Sequence, residues 1–378
     1  MRGEEKAVKA AIVDFIRREP ILILSAAAAA ASCFPVPPDR AYLGYIDFRT
    51  LALLYALMVV VAGLGNAGAF AHLAHTVCAH AKTTRGMGLL LVAMSFFSAM
   101  LITNDVALLT FVPFAVVLLG MTGRRQDLIR IVVLQTVAAN LGSMLTPVGN
   151  PQNLYLFSHY SLTTGGFFRI TGPVWGLSLV LVLALSLILL PRAPLNAFLG
   201  EEPGMDKRGL ALYLALFALC LLSVFRVLPW LLMLVILAAV LLICDRKMLL
   251  KADFMLLLTF VAFFVFAGNL ARLEAIDRLM RRILGGREYL AALLTSQVIS
   301  NVPAALLLSG FTDQARELLL GVDVGGLGTP IASLASLISL KLYSRTRDAH
   351  TGRYLLAFTL VNLLLLLLLS AALLPGGG

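Results

Sequence analysis

The chain has 378 residues, 60% apolar and 13% charged, with a mean hydropathy of +0.94. Soluble domains average about 45–50% apolar and about 25% charged, so the composition is that of a membrane protein. The formal charge of +10 does not point to nucleic acid, because no basic stretch carries a recognition motif. Lys and Arg gather instead in loops beside helix ends, where they orient spans and meet headgroups.

In chain order, residues 1–19 are expected to form an amphipathic interfacial helix, with Val8, Ile12, Phe15 and Ile16 among charges. Its acids, Glu4, Glu5 and Asp14, and the lack of a small-residue cleavage site argue against a removed signal peptide. Pro20 suits the first turn of a span running to about residue 34. A second span covers 48–64, and a less apolar segment, 66–80, suits the interface. Two apolar halves follow, 86–102 and 106–121, hinged at Thr103-Asn104-Asp105. They read as a re-entrant hairpin whose basic ends (Lys82, Arg85, Arg124, Arg125) lie in the cytoplasm. Residues 128–157 form a span broken by Gly142, Thr146-Pro147 and Gly149-Asn150-Pro151, since the residue before a Pro is pushed out of the helical region. A normal span at 167–190 closes the first half, 20–190, and residues 191–208 are a polar linker.

The second half, 209–378, carries spans at 210–225, 228–244 and 252–270, then a basic amphipathic segment at 271–287. A second hairpin (288–311) with Ser300-Asn301 follows, and a second broken span (313–342) with Asp323 to Ser333. A basic loop at 344–353 and a helix at 354–374 end the chain. This gives nine spans and two hairpins. With the N-terminus in the cytoplasm, the basic loops fall inside and only the Arg-rich 271–287 falls outside.

The motifs recur in one order. Thr103-Asn104-Asp105 answers to Ser300-Asn301-Val302, and Asn140 through Asn150 answers to Asp323 through Ser333, each with its Thr-Pro pair (Thr146-Pro147, Thr329-Pro330). Matched Gly- and Pro-broken stretches in two hydrophobic halves are the signature of a secondary transporter built from inverted repeats. At each tip a half-helix starts, and its free N–H groups and dipole suit an anion. The candidate substrate residues are Thr103, Asn104, Thr146 and Pro147 in one half and Ser300, Asn301, Thr329 and Pro330 in the other. Unwound backbone adds carbonyls that suit Na⁺, which could sit at Asn104 and Gly142 or at Asn301 and Gly325. Asp105, Asp323, Asn140, Gly142, Asn150, Gly325 and Ser333 are the candidate ion-coupling residues. An intramembrane carboxylate costs about 2.5–3.5 kcal/mol on insertion scales, so Asp105 and Asp323 read as proton carriers or cation ligands rather than as neutral acids that order backbone.

Other features are weaker. His72 and His75 share a helical face, with His80 nearby, but no HExxH or completing carboxylate makes a metal motif. The four cysteines (33, 78, 220, 244) contain no CxxC, so neither a disulfide framework nor a thiolate metal site is indicated. Arg226 and Lys341 read as helix-end residues that snorkel. No nucleophile–base or metal constellation supports an enzyme, and no cofactor is implied beyond Na⁺ or H⁺ as coupling ion.

At these residues the chain resembles the ion transporter superfamily of divalent anion:sodium symporters, arsenite permeases and sodium/proton antiporters, over about residues 48–374. Thr103-Asn104-Asp105, and Gly321 through Leu337, are similar to arsenite permeases. Asn140 through Leu154 is similar to the symporters and antiporters. In the symporters each tip is a Ser-Asn-Thr triplet that meets the substrate carboxylate and helps form a Na⁺ site. Here Asn is kept at both tips, and the third position becomes Asp105 and Val302. The resemblance implies an elevator-type transporter of the prokaryotic inner membrane. It would move a small carboxylate or inorganic oxyanion coupled to H⁺ or Na⁺, with sodium/proton antiport and arsenite efflux as alternatives. The expected partners are a small anionic substrate and the lipid bilayer, with a homodimer left open.

Overall fold

The computed structural model describes residues 19–78, 81–194, 204–347 and 349–373. The expected N-terminal amphipathic helix up to residue 18, His80 and half of the linker (195–203) lie outside them. Among the described residues the protein is all-α, as expected of a polytopic membrane protein. The first half runs α1 (Pro20–Ser32), α2 (Ala41–Tyr45), α3 (Phe48–Asn66), α4 (Ala69–Cys78), α5 (Thr84–Ile102), α6 (Asn104–Met121), α7 (Leu128–Ser143), α8 (Pro151–His159) and α9 (Thr164–Leu189). The second runs α10 (Lys207–Val224), α11 (Trp230–Cys244), α12 (Phe254–Ala271), α13 (Glu274–Leu284), α14 (Glu288–Ile299), α15 (Asn301–Leu308), α16 (Ala315–Gly325), α17 (Leu334–Ser344) and α18 (Thr351–Leu373).

Local chemistry starts these helices. Pro20 and Pro151 occupy the first turns of α1 and α8, where the missing N–H is not needed. Asp47, Thr83, Asn150, Thr163 and Asp253 each cap a helix by accepting a backbone N–H at 3.0 Å. Such caps are worth about 0.5–2 kcal/mol, and four of the five stand at the ends of long apolar helices.

Seven helices among the described residues are long and apolar enough to cross a bilayer: α3, α5, α6, α9, α10, α12 and α18. Five of them (α3, α9, α10, α12 and α18) stand at expected spans, and α5 and α6 are the arms of the first hairpin. With 13 and 15 residues, α1 and α11 fall short of the roughly 20 that a perpendicular span needs. The first ends ahead of Pro35, and Pro229 and Asp245 bound the second. The hairpin arms also differ. Those of the first have 19 and 18 residues, roughly 28 Å of helix at 1.5 Å per residue. Those of the second have 12 and 8, too short to cross.

Each hairpin packs on the broken helix that follows it, α5 against α7 and α14 against α16. Helix α17 closes over α6 and α7, which joins the second half to the first. Helices α10 and α11 pack on α3, and α12 packs on α1. The basic segment is α13, an exposed amphipathic helix laced by Arg278–Glu274 and Arg281–Asp277 pairs one turn apart.

Candidate functional site

Both hairpin tips turn on one strained residue. Thr103 has φ 70° and ψ 151°, and Ser300 has φ 75° and ψ 155°. A non-glycine residue at positive φ is uncommon, and such strain costs about 1–3 kcal/mol where the surroundings enforce it. The next residue, Asn104 or Asn301, opens the second arm and is buried. The Asn104 N–H donates to the Gly149 carbonyl at 3.1 Å, and its Oδ1 accepts the Asp105 N–H at 3.0 Å. Its Nδ2 donates to Asn140 Oδ1 at 3.0 Å. Asn301 instead packs its amide against Gly326.

The contacts of the two halves match in a constant register. Thr146 Oγ1 donates to the Met100 carbonyl, and its mate Thr329 donates to the Gln297 carbonyl at 3.1 Å. Gly142 lies on the backbone of Phe96 and its mate Gly325 on that of Leu293. Across the halves, Asn140 accepts from Ser333 Oγ at 3.0 Å and donates to Ser336 Oγ at 3.1 Å. Its mate, the buried Asp323, is faced in return by Asn150 and Asn153, the mates of those serines. Only Gln152 Nε2 reaches the carboxylate within hydrogen-bond distance, at 3.5 Å.

The carbonyl proposed as a ligand at Gly325 is engaged, because Gln297 Nε2 donates to it at 2.8 Å and to that of Leu327 at 3.0 Å. Gly142 and Gly325 both serve close helix contact. Pro147 lies in the first break, and Pro330 starts a short 3₁₀ turn in the second. Thr329 is exposed, unlike Thr146.

In front of this buried network lies a cleft of about 350 Å³. Thr103, Asp105, Asn150, Pro151 and Leu334 line it, and across from them stand Leu54, Leu57 and Met58 of α3 with Lys251 and Asp253 ahead of α12. The N-termini of α6, α8 and α17 thus converge on one space. Ser300, Asn301, Thr329 and Pro330 do not line it. A second cavity, of about 340 Å³, lies at the other end of α8, between Tyr155 and His159 on one side and Tyr45, Asp47 and Phe264 on the other. Near it, the exposed Arg226 caps the end of α8. Its guanidinium donates to the carbonyls of Phe157 (3.1 Å) and Ser161 (3.3 Å) and lies over the Phe157 ring.

The sequence profile of the citrate transporter (CitMHS) family matches residues 10–316. This chain belongs to that family. It is 30% identical over 332 residues to an uncharacterized transporter of Methanocaldococcus jannaschii, MJ0456, covering 86% of this chain and 89% of that protein. The Escherichia coli inner membrane protein YbiR is also 30% identical, over 336 residues and the same shares of each chain. A rice silicon efflux transporter, LSI3, is 32% identical over 121 residues, 32% of this chain and 24% of its own. This family member is an integral membrane transporter.

Several site residues escaped the reading of motifs. Gln152, Asn153 and Ser336 lie inside the quoted motifs, but their partners are in the other half. Gln297 could have been found as a lone amide in an apolar arm, three residues before the tip. Lys251 and Asp253 look like ordinary loop charges in the sequence.

Proposed function

We propose that this transporter carries a small anion by secondary active transport, coupled to Na⁺ or H⁺. The observation that carries the reading is the convergence of three helix N-termini and Lys251 on the 350 Å³ cleft. Each N-terminus contributes roughly half a positive charge, and oriented backbone amides bind anions without needing a cationic side chain. Asp105 and Asp253, on facing sides of the cleft, limit that attraction, which suits a substrate that must also be released.

The reciprocal contacts support two inverted repeats, 20–190 and 209–378. If residue i of one half meets j′ of the other while j meets i′, the halves are related by a twofold axis. The same ties support an elevator mechanism in which both hairpins and both broken helices move together against α3 and α10–α12. The cleft opens beside Lys251 and Asp253, in a loop whose charge places it in the cytoplasm, so the state is read as inward-facing. The two carboxylates of the cleft, Asp105 and Asp253, favour a second reading, sodium/proton antiport. Arsenite export has less support, since Cys33, Cys220 and Cys244 do not line the cleft. The rice relative keeps small inorganic solutes among the substrates to be tried beside carboxylates.

The test is a thermal-shift screen of purified protein against small carboxylates and inorganic oxyanions, with and without Na⁺ and across pH, because ligands that bind the native state raise its apparent stability. An anion that stabilises the parent and not Lys251→Ala supports the reading. Stabilisation by cations alone would contradict it.

A further inference from the structure

The cavity of about 340 Å³ at the far end of α8 is lined by counterparts of the residues that line the cleft. The register that matches Asn104 with Asn301 also matches Leu109 of the cleft with Leu306 of the cavity. The register of Asn140 and Asp323 matches Ile338 with Tyr155 in the same way. Asp253 and Asp47, which cap α12 and α3 alike, face the one space and the other. Helix α8 starts at the cleft with Asn150 and Pro151 and ends at the cavity with His159. The charges of the two spaces differ. The cleft has Lys251; its counterpart in the register of the caps is Tyr45, and no Lys or Arg is among the described residues lining the cavity. Asp47 accepts the Thr50 N–H at 3.0 Å and the Thr50 hydroxyl at 2.6 Å, so it stands there as a carboxylate. Among the described lining residues only the exposed His159 can become positive. Its Nδ1 lies 3.3 Å from Tyr155 Oη, which lies 2.8 Å from Ser309 Oγ at the end of the second hairpin. A hydroxyl donates and accepts, so this contact holds the ring in either protonation state. The other polar groups about the ring are Tyr160, packed edge-on, Asp47, and Asp313 ahead of α16. Arg226 does not line the cavity and donates to the carbonyls of Phe157 and Ser161.

We propose that the second cavity is the anion's entry on the face opposite the cleft, and that it admits an anion only while His159 is protonated. Without that proton the lining carries the Asp47 charge alone, and a pocket of one sign concentrates ions of the other. The imidazolium offsets Asp47 and supplies a charge-assisted N–H donor. His is the side chain whose ordinary titration falls between about pH 5 and 8, so acid on that face opens the entry and alkali closes it. No His lines the cleft among the described residues, so the entry is gated by an imidazole on one face only. The nature of the cargo rests on the anion reading; the sign of the cavity does not.

The test reads the charge of the cavity and needs no substrate. Ala271, exposed and on the cavity wall, is changed to Cys (Ala271→Cys) in full-length protein without native cysteines. The purified protein is treated with an anionic thiol reagent, sulfonatoethyl methanethiosulfonate, and with its cationic trimethylammonioethyl analogue. The ratio of the two rates cancels the thiol's own titration. From about pH 8 to about pH 5.5 the anionic-to-cationic ratio should rise roughly fivefold or more, the effect of one added charge on reagents of opposite sign. His159→Gln should hold the ratio at its alkaline value throughout, and His159→Lys at its acid value throughout. A parent ratio that ignores pH, or one that follows pH equally in His159→Gln, overturns the proposal. Either result leaves the anion reading standing, since ligand stabilisation and flux decide that separately.

Discussion

Replacing Gly142 by Ala should disable the protein, while the same change at its mate Gly325 should be mild. A Cβ on Gly142 would stand 2.0 Å from the Phe96 carbonyl oxygen and 2.7 and 2.8 Å from the carbonyl carbon and Cα. Ordinary C···O contact is about 3.3 Å, so α5 and α7 must part by roughly 1 Å, and backbone cannot rotate out of the way. Overpacking costs about 1–3 kcal/mol and occasionally more, and this site belongs at the upper end. Asn140 lies two residues earlier, and its 3.0 Å bond to Asn104 would stretch beyond hydrogen-bond range. At Gly325 the Cβ meets Ser296 Oγ at 2.9 Å and Leu293 Cα at 3.0 Å, so a few tenths of an ångström suffice. Melting of detergent-solubilised protein followed by size-exclusion, with flux in proteoliposomes, ranks the variants. Gly142→Ala should melt well below Gly325→Ala and lose transport. If it matches the parent in both, the close approach of α5 and α7 is not as described.

Gln297→Leu should cost about 1–3 kcal/mol, read as a lower melting temperature, because it strips partners from the Gly325 and Leu327 carbonyls and from the Thr329 N–H. Arg226→Ala should speed maleimide labelling of a cysteine placed at His159, since it frees the carbonyls at the end of α8 beside the second cavity. Outside the spans, the hydrogen bond from Arg272 holds the Asp39 carboxyl below its usual range. A depressed carboxylate contributes stability above its unfolded value of about 3.9 and loses it as pH falls through the folded one. The melting difference between parent and Arg272→Gln should therefore be flat from about pH 5 upward and vanish in stronger acid.

Sequence pattern located the two tips and the two breaks, because Asn, Gly and Pro in apolar runs break helices whatever surrounds them. Thr103 and Ser300 turn the chain where the hinges were expected, and α7, α8, α16 and α17 end at the expected breaks. Contact between the halves was beyond its reach. The bonds of Asn140 to Ser333 and Ser336, and of Gln152 to Asp323, depend on how the two halves fold together, which no local spacing encodes. At Gly142 and Gly325 the pattern signals a break, and only the fold shows that their missing side chains let the helices approach. Arg226 is the exposed helix-end residue expected, but only the fold shows that the end it caps is that of α8. Helices α1 and α11 are shorter than their apolar runs suggest, because Pro35 follows the one and Pro229 and Asp245 bound the other.

The most direct test of the account is flux in proteoliposomes with imposed Na⁺ and pH gradients, with and without candidate anions. The account predicts that an anion accumulates down a cation gradient, that accumulation fails in Asp323→Asn, and that gradients alone drive little exchange, because the positive ends of α6, α8 and α17 need an anion before the loaded unit crosses. Robust Na⁺/H⁺ exchange in the absence of any anion would contradict it.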